Sequence, residues 1–262
     1  MVKVRNIAKE RLDAGELALG IGLRQARTVD IGKAMKTAGY DFLFIDLEHN
    51  SMSIDLAAQI SVAAQDAGIT PLVRVPGHEH FHASRALDAG AQGIVVPHVD
   101  TPEIAARMVA QCRYPPHGHR SVTGALPQLD FRSHPIAEWT AAIDRSTLLV
   151  LMIESPQAVA AIDAIAAVPG YDVLLVGTND LCIEMGIPGE LDHPRVIEAF
   201  ERIIAACRAH GKYPGLGGVY EPVLMERYIA MGVRLVQTGT DLSLLMAAAK
   251  ERVAAVRAMP RG

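Results

Sequence analysis

The sequence has few cysteines, little net charge and a single tryptophan. Its 262 residues include three cysteines, which are too few and too scattered for a disulfide framework or a paired-cysteine metal site. Lysine and arginine total 25 against 29 acidic residues, so the net charge is −4 and no basic surface is expected. These shortages exclude a disulfide-stabilised domain and argue against nucleic acid as a partner.

Long hydrophobic runs are also missing. The chain has no uninterrupted apolar stretch long enough for a transmembrane helix, and its first residues, MVKVRNIAKERLDAGE, carry charges where a signal peptide needs an apolar segment. Hydrophobic residues nevertheless make up 50% of the chain and charged residues 21%, which excludes a disordered protein. We expect a cytoplasmic protein with one large core and no membrane partner.

Eight short apolar runs recur along the chain, each rich in Val, Ile or Leu and without polar alternation, which is typical of strands buried on both faces. Helical stretches lie between them, so the strands should be parallel, and eight such units fit a (β/α)8 barrel better than an open sheet. We predict an α/β protein, one TIM-barrel domain over residues 1–262. The runs are LALGIGL (17–23), FLFI (42–45), PLVRV (71–75), GIVV (93–96), LLVLMI (148–153), VLLV (173–176), YPGLGG (213–218) and RLVQ (234–237).

Helix boundaries are marked by caps and prolines. The stretch 54–68 ends at Gly68, a C-cap signal, and the stretches 101–114 and 155–168 each open with Thr or Ser followed by Pro. The segment 112–147 is too long for a plain connection. We expect it to form a wall or lid over the C-terminal face of the barrel, where active sites of this fold lie.

Polar residues directly after the apolar runs should meet at that face. Glu154 closes a wholly apolar run, and Arg74 lies inside one, so each needs an oppositely charged partner or a ligand. His49 follows the run FLFI together with two acids. Asp180, like Asp241, could instead serve only to cap the next helix.

Two carboxylates from neighbouring strand ends, Glu154 and Asp180, make a site of hard oxygen ligands. This donor set favours Mg²⁺ or Mn²⁺, with Co²⁺ or Zn²⁺ as less favoured alternatives. A site with few protein ligands leaves coordination positions for substrate oxygens. Together with Arg74, it suits a small anionic 2-oxo acid.

At these residues the sequence resembles the HpcH/HpaI aldolase family, the metal-dependent class II pyruvate aldolases that include 4-hydroxy-2-oxoheptanedioate and 2-dehydro-3-deoxyglucarate aldolases. The matching segments occur in the family's order over most of the chain, and together they are strongly specific. They are FIDLEHNSM (44–52), LVRVP (72–76), RALDAGAQGIVVPHVDTPEIA (85–105), RYPPHGHRS (113–121), LMIESPQAV (151–159) and VGTNDLCIEMGIPG (176–189).

The resemblance implies a TIM barrel that assembles as a homohexamer with a C-terminal helix exchanged between subunits. It implies reversible aldol addition of pyruvate, or a related 2-oxo acid or hydroxyketone, to an aldehyde, in the catabolism of aromatic compounds or sugar acids. Roles are implied residue by residue. They are metal binding by Glu154 and Asp180, pyruvate binding and enolate stabilisation by Arg74, proton transfer by His49, support of a neighbouring subunit's histidine by Asp88, and carboxylate binding by the backbone at Gly177 and Thr178.

The chain departs from the family pattern at two places. Met152 stands where familiar members have glutamine, and Thr178 stands where they have proline after the glycine. These departures affect the expected substrate more than the expected reaction.

Three other functions are alternatives to a metal-dependent aldolase. A Schiff-base aldolase needs a strand lysine, and only Lys212 borders a strand. An acyl-CoA carbon–carbon lyase of the citrate lyase β type needs a basic groove, which the sequence does not indicate. A non-catalytic binding barrel would not need the four polar residues together.

Overall fold

The computed structural model describes residues 2–260. Eight parallel strands form a closed barrel in sequence order, with β1 pairing to both β2 and β8, so the predicted TIM-barrel fold is confirmed. The strands are β1 Ala18–Leu23, β2 Phe42–Asp46, β3 Thr70–Arg74, β4 Gly93–Val96, β5 Leu148–Ile153, β6 Val173–Gly177, β7 Tyr213–Gly217 and β8 Leu235–Thr240.

Helices connect successive strands and surround the barrel. The described residues contain α1 Ile7–Asp13, α2 Ile31–Thr37, α3 Ile54–Ala67, α4 His80–Asp88, α5 Pro102–Cys112, α6 Ile136–Ser146, α7 Pro156–Ala160, α8 Ile162–Ala166, α9 Thr178–Glu184, α10 Pro194–Ala209, α11 Pro222–Met231 and α12 Asp241–Arg257. None of these helices is both long and apolar enough to cross a membrane.

The capping signals act as the sequence indicates. Thr101 and Ser155 accept hydrogen bonds from backbone N–H groups in the first turns of α5 and α7, where Pro102 and Pro156 occupy the first helical position. Gly68 ends α3 in the left-handed conformation, with φ at 72°. The predicted helix 155–168 is interrupted at Ala161 and forms two short helices.

The two faces of each strand bury different cores. Along β5, Val150 and Met152 pack inside the barrel, whereas Leu149 and Leu151 belong to the larger core that includes the surrounding helices. Because side chains alternate along a strand, Glu154 continues the inward-facing row of Met152. This alternation directs the acid at the end of β5 into the barrel mouth.

The segment 112–147 lies at the opposite end of the barrel, so its prediction as a lid over the C-terminal face is wrong. Arg113 donates hydrogen bonds to the carbonyl oxygens of Thr147 and Gly170, which precede β5 and β6. The physical reason is topological, because α5 runs back along β4 and delivers the chain to the amino ends of the strands. There Tyr114 packs edge-to-face against Trp139, with ring centroids 5.4 Å apart.

Candidate active site

Asp46 and Arg74 form a buried ion pair at the carboxyl ends of β2 and β3. They are register partners, and Asp46 accepts hydrogen bonds from Nε and Nη2 of Arg74 at 2.9 and 2.6 Å. Burial acts to raise the pKa of Asp46, but the hydrogen bonds and charge of Arg74 outweigh it and the pKa is lowered. The pair therefore stays charged and fixes the guanidinium in one orientation.

The loop after β2 is organised by the same carboxylate. Oδ1 of Asp46 also accepts hydrogen bonds from the backbone N–H groups of Glu48 and His49, at 3.0 and 3.2 Å. Glu48 Oε2 lies 2.8 Å from Arg74 Nη1 without hydrogen-bond geometry, so this contact is an electrostatic one. His49 Nε2 lies 3.6 Å from the same oxygen of Glu48. Arg74 is thus held by two carboxylates, and His49 lies beside them.

Glu154 is almost fully buried at this end of the barrel, with 2% of its surface exposed. Burial raises its pKa to about 7; the backbone N–H and ring of His98 oppose this, while the charges of Asp180 and Glu48 add to it. A Cβ atom on Gly177 would lie 2.4 Å from Oε1 of Glu154, so only glycine leaves room for the carboxylate there.

His98 lies between Glu48 and Glu154. From the sequence it could be identified only as a polar residue after the run GIVV. Its backbone N–H donates to Glu154 Oε2 at 2.8 Å. Its ring lies between Glu48 Oε1, 3.4 Å from Nε2, and Glu154 Oε2, 3.5 Å from Nδ1. The residue has a positive φ of 52°, an uncommon conformation outside glycine that often marks functional sites.

Two neighbouring cavities share Asp180. The first, of about 80 Å³, brings together His49, Arg74 and Met152 with the backbone of Gly177 and Thr178. The second, of about 310 Å³, is lined by His98 and Glu154. The structure therefore places six of the seven predicted site residues at one end of the barrel, and Met152 with them.

Asp88 is the exception. It ends α4, near the amino ends of the strands, and its Oδ1 accepts a hydrogen bond from Nη2 of Arg120 at 2.7 Å. It lines neither cavity, and its support of a neighbouring subunit's histidine stays a prediction.

Asp180 does not act as a helix cap. It lies within the first turn of α9, after the N-cap position held by Gly177. Among the hydrogen bonds of residues 2–260, none ends on its carboxylate, whereas Thr178 Oγ1 donates to the carbonyl oxygen of Gly217 and fixes the turn. The Asp180 carboxylate is thus free to bind a ligand.

The donor set fits a divalent cation held by few protein ligands. Glu154 and Asp180 line one cavity, and their mutual repulsion is part of what raises the pKa of Glu154. A cation between them would relieve this repulsion. No group of three or more His, Cys, Asp or Glu side chains in the described part of the chain has metal-binding geometry, so the remaining ligands would come from substrate and water.

Lys212 lies far from this site. It precedes β7 at the amino end of the barrel, where its Nζ donates to the carbonyl oxygen of Tyr171 at 2.9 Å and packs over that ring. No lysine lines either cavity in the described residues. The site accordingly offers no amine for a Schiff base.

Sequence reasoning missed three residues of the first cavity, Arg24, Tyr220 and Gln237. Arg24 is the first polar residue after β1, so inspecting the end of that run would have found it. Gln237 closes the run RLVQ within β8, so a rule that considers only the residues after each run passes over it. Tyr220 follows β7 by three residues, too far for that rule.

A family model described as HpcH/HpaI aldolase/citrate lyase matches residues 25–248. The chain belongs to this family. The 4-hydroxy-4-methyl-2-oxoglutarate aldolase of Hapsidospora irregularis is 38% identical, covering 98% of this chain and 96% of its own. The hydroxypyruvate/pyruvate aldolase of Chromohalobacter salexigens is 37% identical over 84% and 85% of the two chains. The HpcH/HpaI aldolase structure from Desulfitobacterium hafniense superposes with a TM-score of 0.93 at 29% identity, covering 98% of both chains.

This membership confirms the resemblance found in the sequence. The HpcH/HpaI protein described here is an aldolase, a carbon–carbon lyase. The citrate lyase β subunit from M. tuberculosis, at 14% identity, shares its fold alone.

Proposed function

We propose that the protein catalyses the reversible, divalent-metal-dependent aldol addition of pyruvate, or a related 2-oxo acid or hydroxyketone, to an aldehyde or ketone, and so cleaves 4-hydroxy-2-oxo acids. The observation that carries the proposal is the convergence of two carboxylates, those of Glu154 and Asp180, and a fixed arginine on adjoining cavities. The names of the two sequence relatives, which specify aldolases of a 4-hydroxy-2-oxo acid and of pyruvate, support it.

Glu154 and Asp180 would hold the cation, for which their oxygen ligands favour Mg²⁺ or Mn²⁺. When bound, the cation supplies positive charge that stabilises an enolate oxygen. Glu154 is already oriented for this task, because its Oε2 is fixed by the His98 N–H and its Oε1 faces Gly177.

The protein's own residues bind the 2-oxo acid and move the proton. Backbone groups of Gly177 and Thr178 contact the carboxylate, and Arg74, held by Asp46, points a fixed positive charge at the carbonyl oxygen. This charge is preorganised, so it stabilises the enolate without rearrangement. His49 takes the proton from C3 through a water molecule and returns a proton to the new hydroxyl group.

Assembly would complete the site. Helix α12 buries none of its side chains in this subunit although it carries a row of apolar residues, namely Leu242, Leu244, Leu245, Met246, Val253 and Val256. We therefore propose that α12 is exchanged between subunits of a homohexamer, in which Asp88 of one subunit orients His49 of the next.

Three broader predictions from the sequence stay proposals. They are a single barrel domain over residues 1–262, a cytoplasmic location, and a role in the catabolism of aromatic compounds or sugar acids.

The proposal is tested by an aldol assay with the full chain, pyruvate and a simple aldehyde. Exhaustive chelation should abolish product formation, and Mn²⁺ or Mg²⁺ should restore it. Glu154→Gln and Asp180→Asn should weaken Mn²⁺ binding measured by calorimetry. Glu184→Gln, which changes another acid of the same cavity, should not. Full activity in protein shown to contain no metal would refute metal dependence, and borohydride trapping of pyruvate would indicate a Schiff base instead.

A further inference from the structure

Arg24 enters the first cavity from the loop after β1. Its side chain is 41% exposed, and its Nε lies 3.4 Å from Oδ2 of Asp46. That oxygen is already bonded to Arg74, and within residues 2–260 the guanidinium of Arg24 donates no hydrogen bond. A half-buried guanidinium therefore faces the cavity with its donors available.

The loop that carries Arg24 is held rigidly. The carboxylate of Asp241 accepts hydrogen bonds from three consecutive backbone N–H groups, those of Arg24, Gln25 and Ala26, at 3.1, 2.8 and 2.7 Å. Backbone bonds to a carboxylate are charge-assisted and strong. The backbone from which the Arg24 side chain projects is thus fixed before any ligand arrives.

The two arginines of this cavity differ in how many hydrogen-bond donors remain available to a ligand. Arg74 donates from Nε and Nη2 to Asp46, and its Nη1 lies against Glu48. Arg24, the other arginine that lines the cavity, makes only the 3.4 Å contact of its Nε with Asp46, and its two terminal nitrogens donate no hydrogen bond within residues 2–260. A second anionic group on a ligand would therefore be recognised by Arg24 and not by Arg74.

The surroundings of Arg24 supply further hydrogen-bonding groups. Tyr220 and Gln237 line the same cavity. Burial raises the pKa of the Tyr220 hydroxyl, and the charges of Arg24 and Arg74 oppose this rise, so the phenol lies within the electrostatic reach of both arginines. A guanidinium, a phenol and an amide side chain are suited to binding a carboxylate.

We propose that Arg24 binds a second carboxylate, on the part of the substrate that comes from the acceptor. The inference rests on the proposed aldol function and specifies its substrate class. Preferred acceptors carry a carboxylate beside or near the reacting carbonyl, and the cleaved substrates are 4-hydroxy-2-oxo dicarboxylic acids. In the addition, C3 of the donor loses a proton, a carbon–carbon bond forms to the acceptor carbonyl carbon, and the resulting alkoxide gains one proton, with no redox change.

The experiment compares two acceptors of similar size, glyoxylate and glycolaldehyde, with pyruvate as donor and with the holoenzyme. The readout is the ratio of their kcat/KM values, because variants of one enzyme share the intrinsic reactivity of each aldehyde. Arg24→Gln should lower the glyoxylate-to-glycolaldehyde ratio about ten- to hundredfold, as expected for one lost charge-assisted contact. Arg24→Lys should restore part of it, because the charge remains without the planar fork.

Arg27→Gln is the matched control. Arg27 lies on the same loop and bonds to the carbonyl oxygen of Arg24, but it does not line the cavity. This variant should leave the ratio unchanged even if it slows both reactions. If Arg24→Gln leaves the ratio unchanged while aldol activity persists, the inference is overturned. Absence of product from either acceptor with the wild-type enzyme would instead overturn the proposed function itself.

Discussion

Gly177 and Glu154 are so close that a methyl group on the glycine would overlap the carboxylate, 2.4 Å from Oε1 and 2.6 Å from Cγ. Gly177 has an ordinary negative φ of −84°, so alanine would fit its backbone and the conflict is purely steric. Gly177→Ala should displace Glu154 and weaken Mn²⁺ binding about ten- to hundredfold, as supporting residues of metal sites do. Gly124→Ala, at a position with no atom within 4 Å, is the control and should bind Mn²⁺ normally. Equal affinities for the two variants would contradict this relationship.

Arg74→Lys should lower kcat/KM about a hundredfold, comparable to the loss of one donor to a developing oxyanion. Lysine lacks the planar fork that binds both oxygens of Asp46, so the charge would lose its orientation. Steady-state kinetics with pyruvate and one aldehyde measure the effect. Because Arg74 and Asp46 act as a unit, adding Asp46→Asn to this variant should cost much less than Asp46→Asn alone. Near wild-type kcat/KM in Arg74→Lys would remove this residue from the mechanism.

Asp88 and His49 should complement each other across subunits. Asp88→Asn and His49→Ala should each be slow alone, but coexpressed subunits should regain activity because some sites combine an intact His49 with a neighbour's Asp88. Coexpression of His49→Ala with Glu154→Gln is the control, since both residues belong to one subunit's site and no complete site can form. Activity is measured per assembled enzyme at equal metal content. No gain over the control mixture would exclude an intersubunit pair.

Met152→Gln should alter the choice of donor. Met152 is buried, faces the barrel interior and lines the first cavity, one layer below Glu154. Its flexible thioether leaves an apolar surface where glutamine would present polar groups. The rate with 2-oxobutanoate relative to pyruvate should fall about tenfold, as for one methylene group in a fitted pocket. Kinetics of both donors with one fixed aldehyde decide the matter, and an unchanged ratio would leave Met152 as packing alone.

The barrel could be predicted because each strand is buried on both faces and so appears as an unbroken apolar run. All eight runs match strands, and the largest difference at an end is the extension of β8 to Thr240. The segment 112–147 was misplaced because length and composition do not tell which end of the barrel a connection occupies. The end is set by the direction of the preceding helix. Because α5 follows β4 and runs antiparallel to it, the alternation of strands and helices already places residue 112 at the amino ends of the strands.

The core of the candidate site was predictable for the same reason, since Glu154 and Asp180 follow inward-facing strand ends. The partners of these residues were not predictable. The pairing of Asp46 with Arg74 depends on strand register, and the space around Glu154 depends on the backbone of Gly177. The position of Arg24 depends on Asp241, which is 217 residues away in the chain.

Asp241 also begins α12, the helix that leaves the barrel without burying a side chain. The carboxylate of Asp241 therefore connects the loop at residues 24–26 to α12, the helix that we propose is exchanged between subunits. The first turn of α12 cannot swing away without releasing the three amides that set Arg24 in place. In an assembly that exchanges this helix, the loop that carries Arg24 would therefore be tied directly to the contact between subunits.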